Sequence, residues 1–106
     1  MTLSLQNYYD EIKSLLADDN VFELLELVKQ KFVEVNKAGG KLLLVGNGGS
    51  AGIVAHAAVD FTKQAGVTAL TFNESALITA FSNDFGYERW VEKAFEYYAK
   101  PEDVLV

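Results

Sequence analysis

Apolar residues follow two different rhythms along this chain. Over the first 38 positions they recur at helical spacing, and from Lys41 onward short continuous apolar runs alternate with further helical stretches. Leu5, Tyr8, Tyr9, Ile12, Leu15 and Leu16 predict a helix over 3–16. Asp18-Asp19-Asn20 breaks it and offers a cap for a second helix over 21–38, where Leu24, Leu25, Val28, Phe32 and Val35 share one stripe. Gly39-Gly40 is a helix stop. The run 41–45 (KLLLV) reads as a strand buried on both faces, and 50–64 as a helix that Gly66 ends. Residues 67–72 (VTALTF) read as a second buried strand. A short helix over 76–81, a turn over 82–86, a helix over 87–98, a turn over 100–103 and the beginning of a third strand over 104–106 complete the pattern.

A helix between two buried strands implies a right-handed parallel crossover, so the pattern predicts an α/β fold preceded by two helices. The two leading helices exceed what one strand–helix–strand unit needs. Their apolar stripes are expected either to cover the sheet or to pack on another subunit. A third strand that begins at 104–106 lacks the loop it would deliver to a site at the carboxyl end of the sheet, so the chain is expected to be the first half of a domain.

Composition narrows the class. At 106 residues one modest core is available, and half the residues are hydrophobic. No apolar run approaches the roughly 20 residues that a bilayer helix needs, so no membrane partner is expected. The opening MTLSLQNYYDEIK has no basic n-region or cleavage site, and the chain has no cysteine, which points to a cytoplasmic protein. A formal net charge of −6 with no basic stripe argues against nucleic acid as a partner.

Candidate chemistry gathers in KLLLV-GNGGSAG-IVAHAAVD, residues 41–60. Gly46, Gly48 and Gly49 permit positive φ and close approach of a ligand to the backbone, and Ser50 is the expected N-cap of the following helix. The free N–H groups there would make the loop mouth an anion site. The segment also fits the permissive dinucleotide pattern G-x-G-x-x-G/A, with Glu74 as the acid beyond the next strand, although later than expected. A tight turn with no ligand is the other alternative, and a phosphate or sugar-phosphate cradle is favoured over both. His56 and Asp60, four apart, share one helix face. They read as two metal ligands, as an acid–base pair, or simply as a histidine held by a carboxylate, and residue types alone favour the last. With one histidine and no cysteine, a closed zinc site needs further ligands from elsewhere. Asp84 reads as an N-cap for the last helix, Trp90, Phe95, Tyr97 and Tyr98 as core or interface, and Glu88, Glu92 and Glu96 as a solvated face.

Taken in order, VGNGGSA opening a helix, His56 with Asp60 on it, SNDFGYE, and PEDVLV entering a strand resemble the sugar isomerase (SIS) domain family, most closely its phosphoheptose isomerase group. The resemblance covers the whole chain and displaces the dinucleotide reading, so no nucleotide cofactor is expected. It implies a three-layer α/β/α sandwich with a parallel, Rossmann-like sheet. On this division 1–38 is a helical oligomerisation segment and 39–106 the first half of the SIS domain. It further implies a homotetramer with active sites at subunit interfaces, and sugar-phosphate contacts at Asn47, Gly48, Gly49, Ser50 and Asp84. The family's His-x-x-x-Glu pair, which can bind zinc, falls on His56 and Asp60, with Asp60 as the base for aldose–ketose isomerisation of sedoheptulose 7-phosphate through an enediolate. Such a reaction supplies lipopolysaccharide or capsule precursors. Asp60 is one methylene shorter than the family's Glu, which shifts the base. The family's later phosphate loop, Gln and His have no counterpart here, so this chain alone is expected to be inactive. The alternative is a non-catalytic SIS module that binds a phosphosugar or acts as an oligomeric scaffold.

Overall fold

The computed structural model describes residues 4–106. The chain divides into two compact units, one ending at Lys31 and the other spanning Phe32–Val106. In the first unit Ser4 caps helix α1 (Leu5–Leu16), its hydroxyl accepting the Asn7 N–H at 3.1 Å. Helix α2 (Asp19–Lys37) starts after Asp18, whose carboxylate accepts the Asn20 N–H at 3.0 Å. Both helices carry the apolar stripes the spacing predicts. Every described residue up to Lys31 is nevertheless exposed, Leu5 at 82% and Leu16 at 73% among them.

The second unit begins inside α2, which ends in a Schellman turn: the Gly39 N–H donates to the Asn36 carbonyl at 3.1 Å and the Gly40 N–H to the Val35 carbonyl at 2.9 Å. Gly39 supplies the positive φ of +80° that this turn requires. Strands β1 (Leu42–Leu44), β2 (Ala69–Thr71) and β3 (Val104–Leu105) form a parallel sheet in the order β2-β1-β3, with Leu42 opposite both Ala69 and Val104. Being central, β1 is covered on both faces, and the pleat sends its side chains alternately to each. Leu42 and Leu44 pack with Val35, Ala58, Val67 and Ala69, beside Phe32 and Phe61. Those two rings meet edge to face at 5.4 Å. Leu43 packs on the opposite face with Phe72, Trp90 and Ala94. Helix α3 (Gly49–Lys63) contributes to the first of these cores. Helix α4 (Ser75–Phe85), a single 3-10 turn at Tyr87–Arg89 and helix α5 (Trp90–Tyr98) connect β2 to β3, and α4 and α5 contribute to the second core. The result is helices on both faces of a parallel sheet, the three-layer α/β arrangement expected from the sequence.

Three local expectations need correction. β2 is an edge strand rather than one buried on both faces, and Leu70 is 50% exposed. The Ala69 backbone groups that point away from β1 are served instead by Thr62 of α3, whose hydroxyl accepts the Ala69 N–H at 3.0 Å and donates to the Ala69 carbonyl at 3.2 Å. The segment 82–86 is not a turn, because α4 runs through it to Phe85. That helix closes where the Gly86 N–H donates to the Ser82 carbonyl at 3.0 Å, with Gly86 at φ +92°. Asp84 therefore lies in the last turn of α4 and caps nothing, while α5 begins without a side-chain cap.

The turn before β3 is tied to the start of β1 by Asp103, whose side chain is 1% exposed. Its carboxylate accepts the Lys41 N–H at 2.9 Å and the Lys100 N–H at 2.8 Å, and it pairs with the Lys41 ammonium. Burial pushes the Asp103 carboxyl upward. The Lys41 ammonium and the two backbone N–H groups outweigh that and hold it below the usual carboxylate range.

Candidate functional site

The chain leaves β1 for α3 and β2 on one side and returns to β3 on the other, so the carboxyl end of β1 lies at a topological switch point, where open α/β sheets bind ligands. The glycine segment is at that point. Gly46 is required by close approach: a Cβ there would run into the Ser50 carbonyl and the Ala51 nitrogen at the start of α3. Of the three loop glycines only Gly48 takes a positive φ, +57°, and it turns the chain into the helix.

The cap of this helix lies two residues earlier than expected. Gly48, not Ser50, is the N-cap of α3, and it offers no side chain to the helix. The Ser50 N–H donates to the Asn47 carbonyl and the Ala51 N–H to the Gly48 carbonyl, each at 3.1 Å, which closes the first turn. Ser50 is thereby released from capping and lies exposed in the first turn, next to the exposed Asn47, Gly48 and Gly49. The N–H groups of Asn47, Gly48 and Gly49 donate to no carbonyl of the loop or its neighbours among the described residues. Three open donors at the positive end of a helix dipole favour an anion.

Two residues not singled out in the sequence hold this loop. Asn73, just past β2, accepts the Gly46 N–H through Oδ1 at 2.8 Å and donates from Nδ2 to the Gly46 carbonyl at 2.6 Å. From the 3-10 turn, the Tyr87 hydroxyl donates to Asn47 Oδ1 at 3.0 Å. Tyr87 and Asn47 line a cleft of about 380 Å³ with Val45, Gly46, Glu88, Trp90 and Val91. An Asn after a strand is too common to signal such a role, and the Tyr87 contact spans a sequence separation of 40.

On α3 itself, His56 and Asp60 meet, with Nε2 and Oδ2 3.4 Å apart and side chains 80% and 54% exposed. They lie along one groove with Gly49, Gly52, Ile53 and Ala57. The loop and this pair therefore occupy one helix. Eleven residues separate Gly49 from Asp60, which at the α-helical rise is roughly 16 Å along the axis. The carboxylate leans back toward the N-terminus and shortens that span.

Asp84 is exposed, and its carboxylate accepts from the Asn83 side chain at 3.1 Å. No hydrogen bond joins it to the loop or to His56 and Asp60 among the described residues. Glu74 is engaged as the N-cap of α4, accepting the Ala76 N–H at 3.0 Å and the Leu77 N–H at 2.8 Å, which lowers its carboxyl pKa. That engagement gives Glu74 a structural role at the start of α4.

The donor set does not make a zinc site on its own. Among the described residues no three His, Cys, Asp or Glu side chains come together, and His56 with Asp60 supplies only two of the three or more protein ligands that zinc takes.

No protein-family model matches the chain. Curated proteins do match. The chain is 35% identical over 89 residues to the phosphoheptose isomerase of Roseiflexus sp. (strain RS-1), covering 78% of this chain and 45% of that protein. It is 38% identical over 82 residues to that of Aneurinibacillus thermoaerophilus, covering 72% and 41%. A probable phosphoheptose isomerase of Thermoplasma volcanium is 40% identical over 89 residues, covering 77% and 45%. Among solved structures, the phosphoheptose isomerase of Neisseria gonorrhoeae superposes with a TM-score of 0.74 at 25% identity, covering 96% of this chain and 59% of that one. The chain thus spans about half the length of the curated relatives it matches.

Proposed function

The chain resembles the N-terminal half of the phosphoheptose isomerases, in the sugar isomerase domain family, and from that premise we propose that it serves the aldose–ketose isomerisation of a sugar phosphate. One observation carries the reading: a single helix, α3, joins an open anion-binding loop at the sheet's switch point to an exposed carboxylate three turns further on. An isomerase of this kind needs an anchor for the phosphate and, at the far end of the substrate, a base for the proton next to the carbonyl.

In the proposed reaction the N–H groups of Asn47, Gly48 and Gly49 and the Ser50 hydroxyl hold the phosphate end. Asp60 takes the proton from the carbon beside the carbonyl, giving an enediolate, and returns it to the former carbonyl carbon, while the hydroxyl proton of the first carbon passes to the oxygen of the second as the new carbonyl forms. His56, 3.4 Å from Asp60, orients that carboxylate. Among the described residues His56 and Asp60 do not complete a metal site. Asp84 belongs to the proposed substrate contacts through its place in the family motif. Assembly as a homo-oligomer, with a tetramer as the specific expectation, is supported by the exposed apolar stripes of α1 and α2. Among the described residues no helix is long and apolar enough to cross a membrane, and a cytoplasmic setting is part of the proposal.

Turnover of sedoheptulose 7-phosphate tests the reading. Asp60→Asn is expected to lower kcat by at least about a hundredfold while leaving sugar-phosphate binding within about tenfold, because a base acts only in the chemical step. Unchanged turnover in that variant would remove Asp60 from the role. The second reading, a phosphosugar-binding module without catalysis, is favoured by the high exposure of His56 and Asp60, and it predicts binding with no turnover in the parent protein.

A further inference from the structure

Asn73 stands outside the glycine loop in sequence, yet its carboxamide makes two complementary hydrogen bonds to one loop residue. Oδ1 accepts the Gly46 N–H at 2.8 Å and Nδ2 donates to the Gly46 carbonyl at 2.6 Å. The amide of a side chain here pairs with a backbone residue as a neighbouring strand would, at the point where β1 has ended and its ladder no longer constrains the chain. Asn73 is itself held. Its N–H donates to the Thr71 hydroxyl at 3.1 Å, and that hydroxyl lies 3.4 Å from Asn73 Oδ1. Gly46 in turn lies so close to the first turn of α3 that no Cβ fits between them, so a shift at Gly46 is passed on to Ser50 and Ala51. A continuous path therefore runs from β2 through Thr71 and Asn73 to Gly46 and the open end of α3.

We infer that Asn73 is a positioning residue for the anion site. It acts through Gly46 to set the direction of the free N–H groups of Asn47, Gly48 and Gly49, without touching the ligand. This rests on the reading of the loop as a sugar-phosphate anchor. The pairing demands both halves of a carboxamide: alanine loses both bonds, while aspartate keeps an acceptor for the Gly46 N–H and loses the donor to its carbonyl.

The test uses the full chain, with inorganic phosphate as the probe and amide hydrogen exchange and amide chemical shifts as readouts. In Asn73→Ala the Gly46 amide should exchange at least about tenfold faster, and phosphate should bind about tenfold more weakly, while amides in α5 keep their protection. Asn73→Asp keeps the acceptor for the Gly46 N–H but sets a carboxylate oxygen against the Gly46 carbonyl and a negative charge beside the anion site, so it should keep part of the Gly46 protection while binding phosphate at least about tenfold more weakly than the parent. If Asn73→Ala leaves Gly46 protection and phosphate affinity within about twofold of the parent, the positioning role is overturned. Equal loss of protection throughout the second unit would also overturn it, since Asn73 would then be merely a support of the fold. A parent chain that shows no phosphate binding overturns the anchor reading and this inference with it. A parent that binds, with an alanine variant that binds equally well, overturns this inference alone.

Discussion

The leading helices and the strand β1 are built from the same kind of residue, and the chain treats them in opposite ways. Leu42 and Leu43 are completely buried and Leu44 nearly so, whereas Leu24, Leu25 and Leu27 on α2 are 63%, 55% and 61% exposed. A leucine's contribution to the fold is thus decided by how many sides are covered. In β1 a strand lies on either side and a layer of helix residues on each face. The comparison teaches that an apolar stripe on a helix marks a surface awaiting cover, while a continuous apolar run between glycines marks the centre of a sheet.

The sharpest way to break this contrast is to truncate one leucine in each region. Leu43→Ala removes a side chain wedged among Phe72, Trp90 and Ala94 and is expected to cost about 3–4 kcal/mol of folding stability, against under about 0.5 kcal/mol for Leu24→Ala. Urea denaturation measures both. A comparable loss in the two variants would mean that Leu24 is buried in solution, and a change of sedimentation in Leu24→Ala would identify a second copy as the cover.

Next in size is the tie between the two ends of the sheet unit. Asp103→Ala leaves the Lys41 and Lys100 N–H groups and the Lys41 ammonium without their acceptor, at an expected cost of about 2–3 kcal/mol. The pH dependence has a definite sign. A carboxyl whose folded pKa lies below its unfolded value stabilises the fold above the unfolded pKa, and that contribution fades as pH falls through the folded one. Stability should therefore drop on acidification below about pH 4, and Asp103→Asn should flatten that part of the curve. An Asn variant with the parent's acid profile would assign the drop to other carboxylates. Glu74, held low by the Ala76 and Leu77 N–H groups, is the first to examine.

The smallest effect concerns the sheet edge. Thr62→Val keeps the shape but removes the hydroxyl that serves Ala69 from outside the ladder, for an expected loss of about 1 kcal/mol. Thermal melting measures it, and a value near zero would mean that water replaces the hydroxyl at this edge.

Much of this architecture was legible along the chain. The helix stops at Gly39-Gly40 and Gly66, the central apolar run, the parallel crossover and the turn at Lys100–Asp103 follow from local chemistry: positive φ, two-sided burial and the length of a crossover are properties of neighbouring residues. Two boundaries differ from the expected ones, and at both the conformation of a glycine prevails over side-chain preference. Ser50 has a good N-cap side chain, but Gly46 packs so tightly against the start of α3 that the helix closes earlier, with Gly48 as its cap. Residues 82–86 have turn composition, yet α4 continues through Asn83 and Asp84 because only Gly86 adopts the φ that ends it.

For the candidate site, residue types and spacing located the glycine loop and placed His56 and Asp60 on one helix face, since a loop and one helix are contiguous in sequence. Asn73 and Tyr87 could not be found in the same way. Their hydrogen bonds to Gly46 and Asn47 cross 27 and 40 residues, and they exist only because the parallel sheet and its second crossover return the chain to the carboxyl end of β1. Spacing along a chain specifies partners within a helix or a turn; partners across a sheet are specified by register and pleat, which exist only after the strands have paired.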